Sequence, residues 1–211
     1  FISALFFSNL AFSQQPEKVY SPADSHKALH NETISQVNSM SSPTVIWSED
    51  FSGGFPTGWS TSSTNTVGGI ATCPWVWSND GSWGYWNSNQ GTSPAAGINS
   101  TSAANGFLIS DPDSANNTAY GQPSGSTYQY INSQFTTSSI STLGYPAVTL
   151  EFEQLFRFNN NVNLVVSVSS DSISWTDYFV QGNITNNTQS PNPETVSINV
   201  SSVAANQALS L

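Results

Sequence analysis

PAVTLEFEQLFRF, residues 146–158, alternates between apolar and polar positions. Val148, Leu150, Phe152, Phe156 and Phe158 fall on one face of an extended chain, and Thr149, Glu151, Glu153 and Arg157 on the other. A half-buried strand imposes this period of two. Asn159–Asn161 turns the chain into Leu164, Val166 and Val168, which alternate with polar residues in the same way. Trp175–Val180 and Thr195–Val200 read as further strands, and Ala208–Leu211 as the start of another. Apolar faces with polar backs imply two sheets packed face to face.

Upstream, the same reading places strands at Val45–Phe51, Gly106–Ser110 and within Ser126–Thr136. A hairpin is expected over PWVWSNDGSWGYW, residues 74–86, because Asn79-Asp80-Gly81 tolerates positive φ between two aromatic arms. No twelve-residue stretch carries a 3.6-residue apolar period. The expected class is all-β, a two-sheet antiparallel sandwich.

With 211 residues the chain suffices for one domain of sandwich size plus a leader. Charged residues amount to 8% and the formal net charge is −10. Only Lys18, Lys27 and Arg157 are basic, so no nucleic-acid partner is expected, since phosphates must be met by Lys and Arg. Cys73 is the single cysteine, which rules out a disulfide within the chain and a Cys-based zinc site. It reads as a small apolar core residue.

Residues 1–13, FISALFFSNLAFS, have the apolar character of a secretory signal, with Ala11-Phe12-Ser13 as a small-x-small cleavage pattern. The run is too short to span a membrane. It is read as a signal-peptide remnant, so that the protein is expected to be secreted or held at the cell surface. Residues 14–44 are polar and aperiodic, hold His26 and His30, and read as a flexible linker or pro-segment. Residues 45–211 are the domain.

EDFSGGFPTGW (49–59), ANGFLISDPDSAN (104–116), TLEFEQLFRF (149–158) and LVVSVSSDSISWTDY (164–178) occur in an order and spacing that carry a resemblance. Together they resemble the jelly-roll domain of the cleaved-adhesin or choice-of-anchor J type of secreted Bacteroidetes proteins, distantly similar to MAM domains. The resemblance covers residues 45–211 and implies a jelly-roll β-sandwich serving adhesion. Its partner would be a cell-surface protein or a glycan. The family's closing strand, of W-x-I-D-D-V type, has no counterpart here, so the chain is expected to be cut short at both ends. The resemblance also implies a structural calcium ion held by Glu49 and Asp50 of the opening strand and Asp111 and Asp113 after the G-F-x-x-x-D segment. Read from the residues alone, DPDSANN offers the oxygen donors that Ca²⁺ prefers, but it is equally an Asp/Asn turn closed by its own side chains.

Residues 45–211 contain no histidine and no lysine. That removes Ser-His-Asp triads, Cys-His pairs, His-ligated zinc and Schiff-base chemistry. Glu151 and Glu153 share a strand face, as the carboxylates of jelly-roll glycosidases do, but Leu155 stands where a further Glu is expected. A domain without catalytic residues is the expectation. Of the clustered aromatics, two or three are expected in the core, leaving Trp77, Trp83 and Tyr85 as a candidate ligand platform. With that platform the chain would be a carbohydrate-binding module beside a secreted hydrolase or peptidase. Asp171, in SSDSISW, reads as a hairpin residue, with Ser172 where the resemblance expects Gly.

Overall fold

A computed structural model describes residues 2–5, 43–65, 69–82, 97–120, 130–158, 162–186 and 188–208. Nine strands, two short α-helices and a 3-10 turn at Ala103–Asn105 are found among them: β1 (Ile2–Leu5), β2 (Ser60–Asn65), β3 (Val76–Ser78), β4 (Phe107–Ser110), α1 (Pro112–Tyr120), β5 (Ile131–Thr136), β6 (Thr149–Phe156), β7 (Val165–Val168), β8 (Thr176–Phe179), β9 (Glu194–Asn199) and α2 (Ser201–Ala204). The fold is all-β. The strands form a five-stranded sheet ordered β3-β4-β1-β6-β9, a pair β2-β5 and a pair β7-β8. Every pairing is antiparallel.

The large sheet packs against both pairs. On β4, Phe107, Leu108 and Ile109 join Phe51, Trp75 and Ile98 in a buried cluster that Phe135 of β5 and Trp59 help to close. On β6, Phe152 and Phe156 meet Leu164 and Val180, while Val148 meets Val168 and Val200. The alternation expected over residues 146–158 is realised, with one addition. Gln154, an even-numbered position, lies on the buried face and is 0% exposed.

Val45–Phe51 does not form the expected strand. Glu49 Oε1 accepts the Phe51 N–H (2.7 Å) and Asp50 Oδ1 accepts the Ser52 N–H (3.0 Å). Side-chain acceptors therefore take donors that a ladder would need, and Phe51 is driven to φ +60°. Trp47 and Phe51 still reach the core clusters. DPDSANN is not a loop but the start of α1. Asp111 Oδ1 caps it by accepting the Ser114 N–H (2.9 Å), and Pro112 stands at its first position.

β2, STSSTN, was not expected from its polar composition; it is held by pairing with β5 along its whole length. β3 pairs with β4. The other arm of the expected hairpin, residues 83–86, lies outside the described residues. β1 comes from the segment read as a signal remnant, and it occupies the middle of the large sheet, antiparallel to both β4 and β6. No helix among the described residues is long and apolar enough to cross a membrane.

Candidate functional site

Between the large sheet and the two pairs lies a groove of about 540 Å³, within the range of small-ligand sites. Ser133–Thr137, along β5, form one wall, and Asn163–Val168, along β7, form the other. Its floor is the buried face of β6: Val148, Leu150, Phe152 and Gln154. Trp47, Trp75 and Trp175 complete the apolar lining. Among the described residues, no Asp, Glu, His, Lys, Arg or Cys lines it.

The aromatic side of the groove is a ladder. Trp47 stacks on Trp59 at 6.0 Å, Trp59 lies on Phe135 at 5.5 Å with planes 2° apart, and Trp75 meets Phe135 edge-on at 5.2 Å. These contacts hold Trp47 and Trp75 in place. Trp175 is different, being 43% exposed at the start of β8.

Gln154 is the polar element of the floor. Its Nε2 donates to the Val180 carbonyl (2.8 Å) and to Glu194 Oε2 (2.7 Å). Two acceptors on the nitrogen fix the amide's orientation, so the other atom must be the oxygen. That Oε1 is buried and has no hydrogen-bond partner. An unmet buried acceptor costs about 1–3 kcal/mol. Alternation could have placed Gln154 on the core face, but its acceptor demand depends on partners 26 and 40 residues away.

The expected platform is distributed differently. Trp77, 37% exposed, donates its Nε1–H to the carbonyls of Phe51 (3.1 Å) and Asn105 (3.2 Å). Trp75 sits in the core. The two do not share an environment, because Trp75 precedes the strand that carries Trp77. Trp83 and Tyr85 lie outside the described residues.

The four carboxylates expected to hold calcium are divided between the two ends of β4. Asp50 Oδ2 accepts from Asn105 Nδ2 (3.1 Å) just before the strand, whereas Asp111 follows its last residue. Five residues of near-extended chain separate Asn105 from Asp111, on the order of 15–20 Å. No single ion spans that distance, so the tetrad Glu49, Asp50, Asp111 and Asp113 does not fit one calcium site. Asp111 is engaged at both oxygens, Oδ2 accepting from Ser82 Oγ (2.7 Å) and Oδ1 capping α1. The Ser52 backbone N–H holds the exposed Asp50 carboxyl below its ordinary range. No group of three or more His, Cys, Asp or Glu that could hold a metal occurs among the described residues.

Glu153 Oε2 accepts both the N–H (2.7 Å) and the hydroxyl (2.9 Å) of Thr101, tying the back of β6 to the chain before β4. Cys73 is buried beside Ser110 Oγ (3.2 Å), and that burial pushes its thiol pKa up, away from the reactive thiolate. Compared with protein-family models, curated proteins and solved structures, the chain matches none.

Proposed function

We propose that this chain is a non-catalytic, extracellular ligand-binding domain of adhesin type, a jelly-roll sandwich belonging to a larger secreted or cell-surface protein, with its ligand in the groove between the layers. The observation that carries this is the groove's chemistry. A concave, largely apolar site with convergent polar groups is the usual form of a binding site. Among the described residues its lining offers neither an acid nor a base to do chemistry with. The apolar run 1–13 supports export, and its cleavage after Ser13 would remove β1 and leave the position between β4 and β6 open in the exported domain.

A neutral ligand suits the site, because an uncompensated charge is costly to desolvate. The test is adhesion of the immobilised full chain to host cells or extracellular matrix, compared with Val166→Trp, which fills the groove from the β7 wall. Binding that survives the substitution unchanged would remove the groove from the proposal.

A second reading, the carbohydrate-binding module, is favoured by Trp175, whose exposed indole lines the same groove as the hydroxyl and amide side chains of Ser133, Gln134, Thr136 and Asn163. Retardation on affinity gels containing neutral polysaccharide, abolished by Trp175→Ala, would support it. The platform Trp77, Trp83 and Tyr85 is set aside, since Trp77 is tied to the backbone of two segments.

A further inference from the structure

β7 and β8 form a hairpin whose two faces differ in character. Val166, Val168 and Tyr178 pack into the core around Val148. The period of two then turns Val165, Ser167, Asp177 and Phe179 the other way. That outer face is not simply polar. Phe179 is 70% exposed, and Ile173, in the turn between the strands, is 83% exposed. With Trp175 they make an apolar patch on one hairpin, which is more informative than the same side chains scattered singly.

Asp177 stands between the two aromatic residues in the alternation Trp175-x-Asp177-x-Phe179. A step of two residues along a strand covers about 7 Å, so a cation paired with this carboxylate has both rings as neighbours. Asp177 Oδ1 accepts the Ser167 hydroxyl at 2.6 Å, which fixes the carboxylate on this face, and its Oδ2 meets no partner among the described residues. The turn is held as well. Asp171 Oδ1 accepts the N–H groups of Ile173 (2.8 Å) and Ser174 (2.7 Å).

A counter-charge for Asp177 has to come from outside the domain. Arg157 is the only lysine or arginine in residues 45–211, and it follows β6 in the large sheet, bridged to Gln189. A second copy, at a formal net charge of −10, is repelled.

We propose that the outer face of the β7–β8 hairpin docks a basic segment of another protein, with an arginine seated on Asp177 between Trp175 and Phe179. A guanidinium pairs with a carboxylate, lies flat on aromatic rings and is more weakly hydrated than an ammonium, so it suits this seat better than lysine does. Apolar residues beside the arginine meet Ile173 and Val165. The proposal goes beyond the groove and does not rest on it: Trp175 touches both sites, but Asp177 and Phe179 are outside the groove's lining. A neutral glycan could stack on either ring, yet it would draw nothing from the carboxylate's charge.

The experiment uses the full chain and three acetylated, amidated peptides: Gly-Thr-Arg-Thr-Gly, and the same sequence with lysine or uncharged citrulline at the centre. Cellohexaose is the fourth ligand. The variants are Asp177→Asn, which keeps an acceptor for the Ser167 hydroxyl, Phe179→Ser and Val166→Trp. Binding is read from NMR shifts of backbone amides and indole N–H groups, and folding from melting temperature.

The arginine peptide is expected to bind saturably, with its shifts gathered on Trp175, Asp177 and Phe179. It should bind about threefold tighter than the lysine peptide and about tenfold tighter than the citrulline one. Asp177→Asn and Phe179→Ser should each weaken it by about threefold or more, added salt should weaken it, and Val166→Trp should leave it unchanged. Asp177→Asn decides alone if Phe179→Ser melts early. If citrulline binds as well as arginine, the face does not read charge and the proposal falls. If both hairpin variants bind like the parent, the peptide follows the overall negative charge and the proposal falls. Loss in Val166→Trp alone would put the peptide in the groove, overturning this proposal while the groove reading stands. Cellohexaose shifting these amides where the arginine peptide does not would assign the face to a glycan and overturn it, as would the absence of saturable binding. A groove that fails its own adhesion test leaves each of these outcomes readable.

Discussion

Gly106 lies against the indole of Trp77 so closely that a Cβ there would stand 2.5 Å from Cε2 and Nε1. With φ at +94°, Gly106 also holds a conformation that L side chains rarely adopt. The two residues are one structural unit. The glycine lets the ring approach, and the ring's N–H then joins the carbonyls of Phe51 and Asn105. Gly106→Ala should lower stability by about 2–4 kcal/mol, combining left-handed strain with overpacking. Urea denaturation checks this, and an unchanged midpoint would separate the two residues. By the same logic Trp77→Ala should act on stability and leave groove binding by the folded fraction unaltered.

Asp111 serves as a helix cap. Asp111→Ala should cost about 1 kcal/mol, up to about 2, and Asp111→Asn much less, because the amide oxygen can still cap. Since the expected calcium ligands are split between the ends of β4, millimolar calcium and chelator should give the same melting temperature for the parent chain. A rise with calcium would show that the four carboxylates converge after all.

Asp171 governs the acid side of the stability profile. Its carboxylate accepts the N–H groups of Ser174 (2.7 Å) and Ile173 (2.8 Å) and the Ser169 hydroxyl (3.0 Å), which together lower its pKa from 3.8 to about 2. A depressed folded-state pKa contributes stability above the unfolded value, and that contribution is lost as pH falls from 3.8 through about 2. Asp171→Ala should therefore be less stable than the parent at neutral pH, and the gap should close across this window. A gap independent of pH would assign the effect to something other than the carboxylate. In the same turn Ser172 sits at φ +60°, where Gly is the unstrained choice, so Ser172→Gly should stabilise by about 0.5–1 kcal/mol.

Ile2–Leu5 supplies the central strand of the large sheet. A chain starting at Gln14 loses its pairing with both β4 and β6. At about 1 kcal/mol per ladder hydrogen bond the loss exceeds about 3 kcal/mol, and the melting temperature should drop on the order of 10 °C. Restoration by a peptide of residues 1–7 added in trans would show that the position between β4 and β6 is an open slot in the shortened chain. An unchanged melting temperature would mean that β1 contributes nothing in solution.

Much of the all-β class could be read locally. The two-residue period of Val148, Leu150, Phe152 and Phe156 survives folding because burying one face of a strand is a local demand, met by whatever sheet lies opposite. Asp111-Pro112 likewise carried a helix-start signal, cap followed by proline, which the acidic look of DPDSANN obscured. Ser172 at a positive φ agrees with the turn read from SSDSISW.

What alternation could not supply was any relation between distant residues. Val45–Phe51 looks like a strand, yet Glu49 and Asp50 take its donors. STSSTN does not look like one, yet β5 pairs with it. The groove has no sequence signature at all. Its lining brings together β5 and β7, 34 residues apart at their first positions, with the buried face of β6, and the partners of Gln154 satisfy its nitrogen but not its oxygen. Local chemistry determined the strands and their turns. Which segments line the groove, and which acceptor was left unmet, depended on contacts that only the folded chain makes.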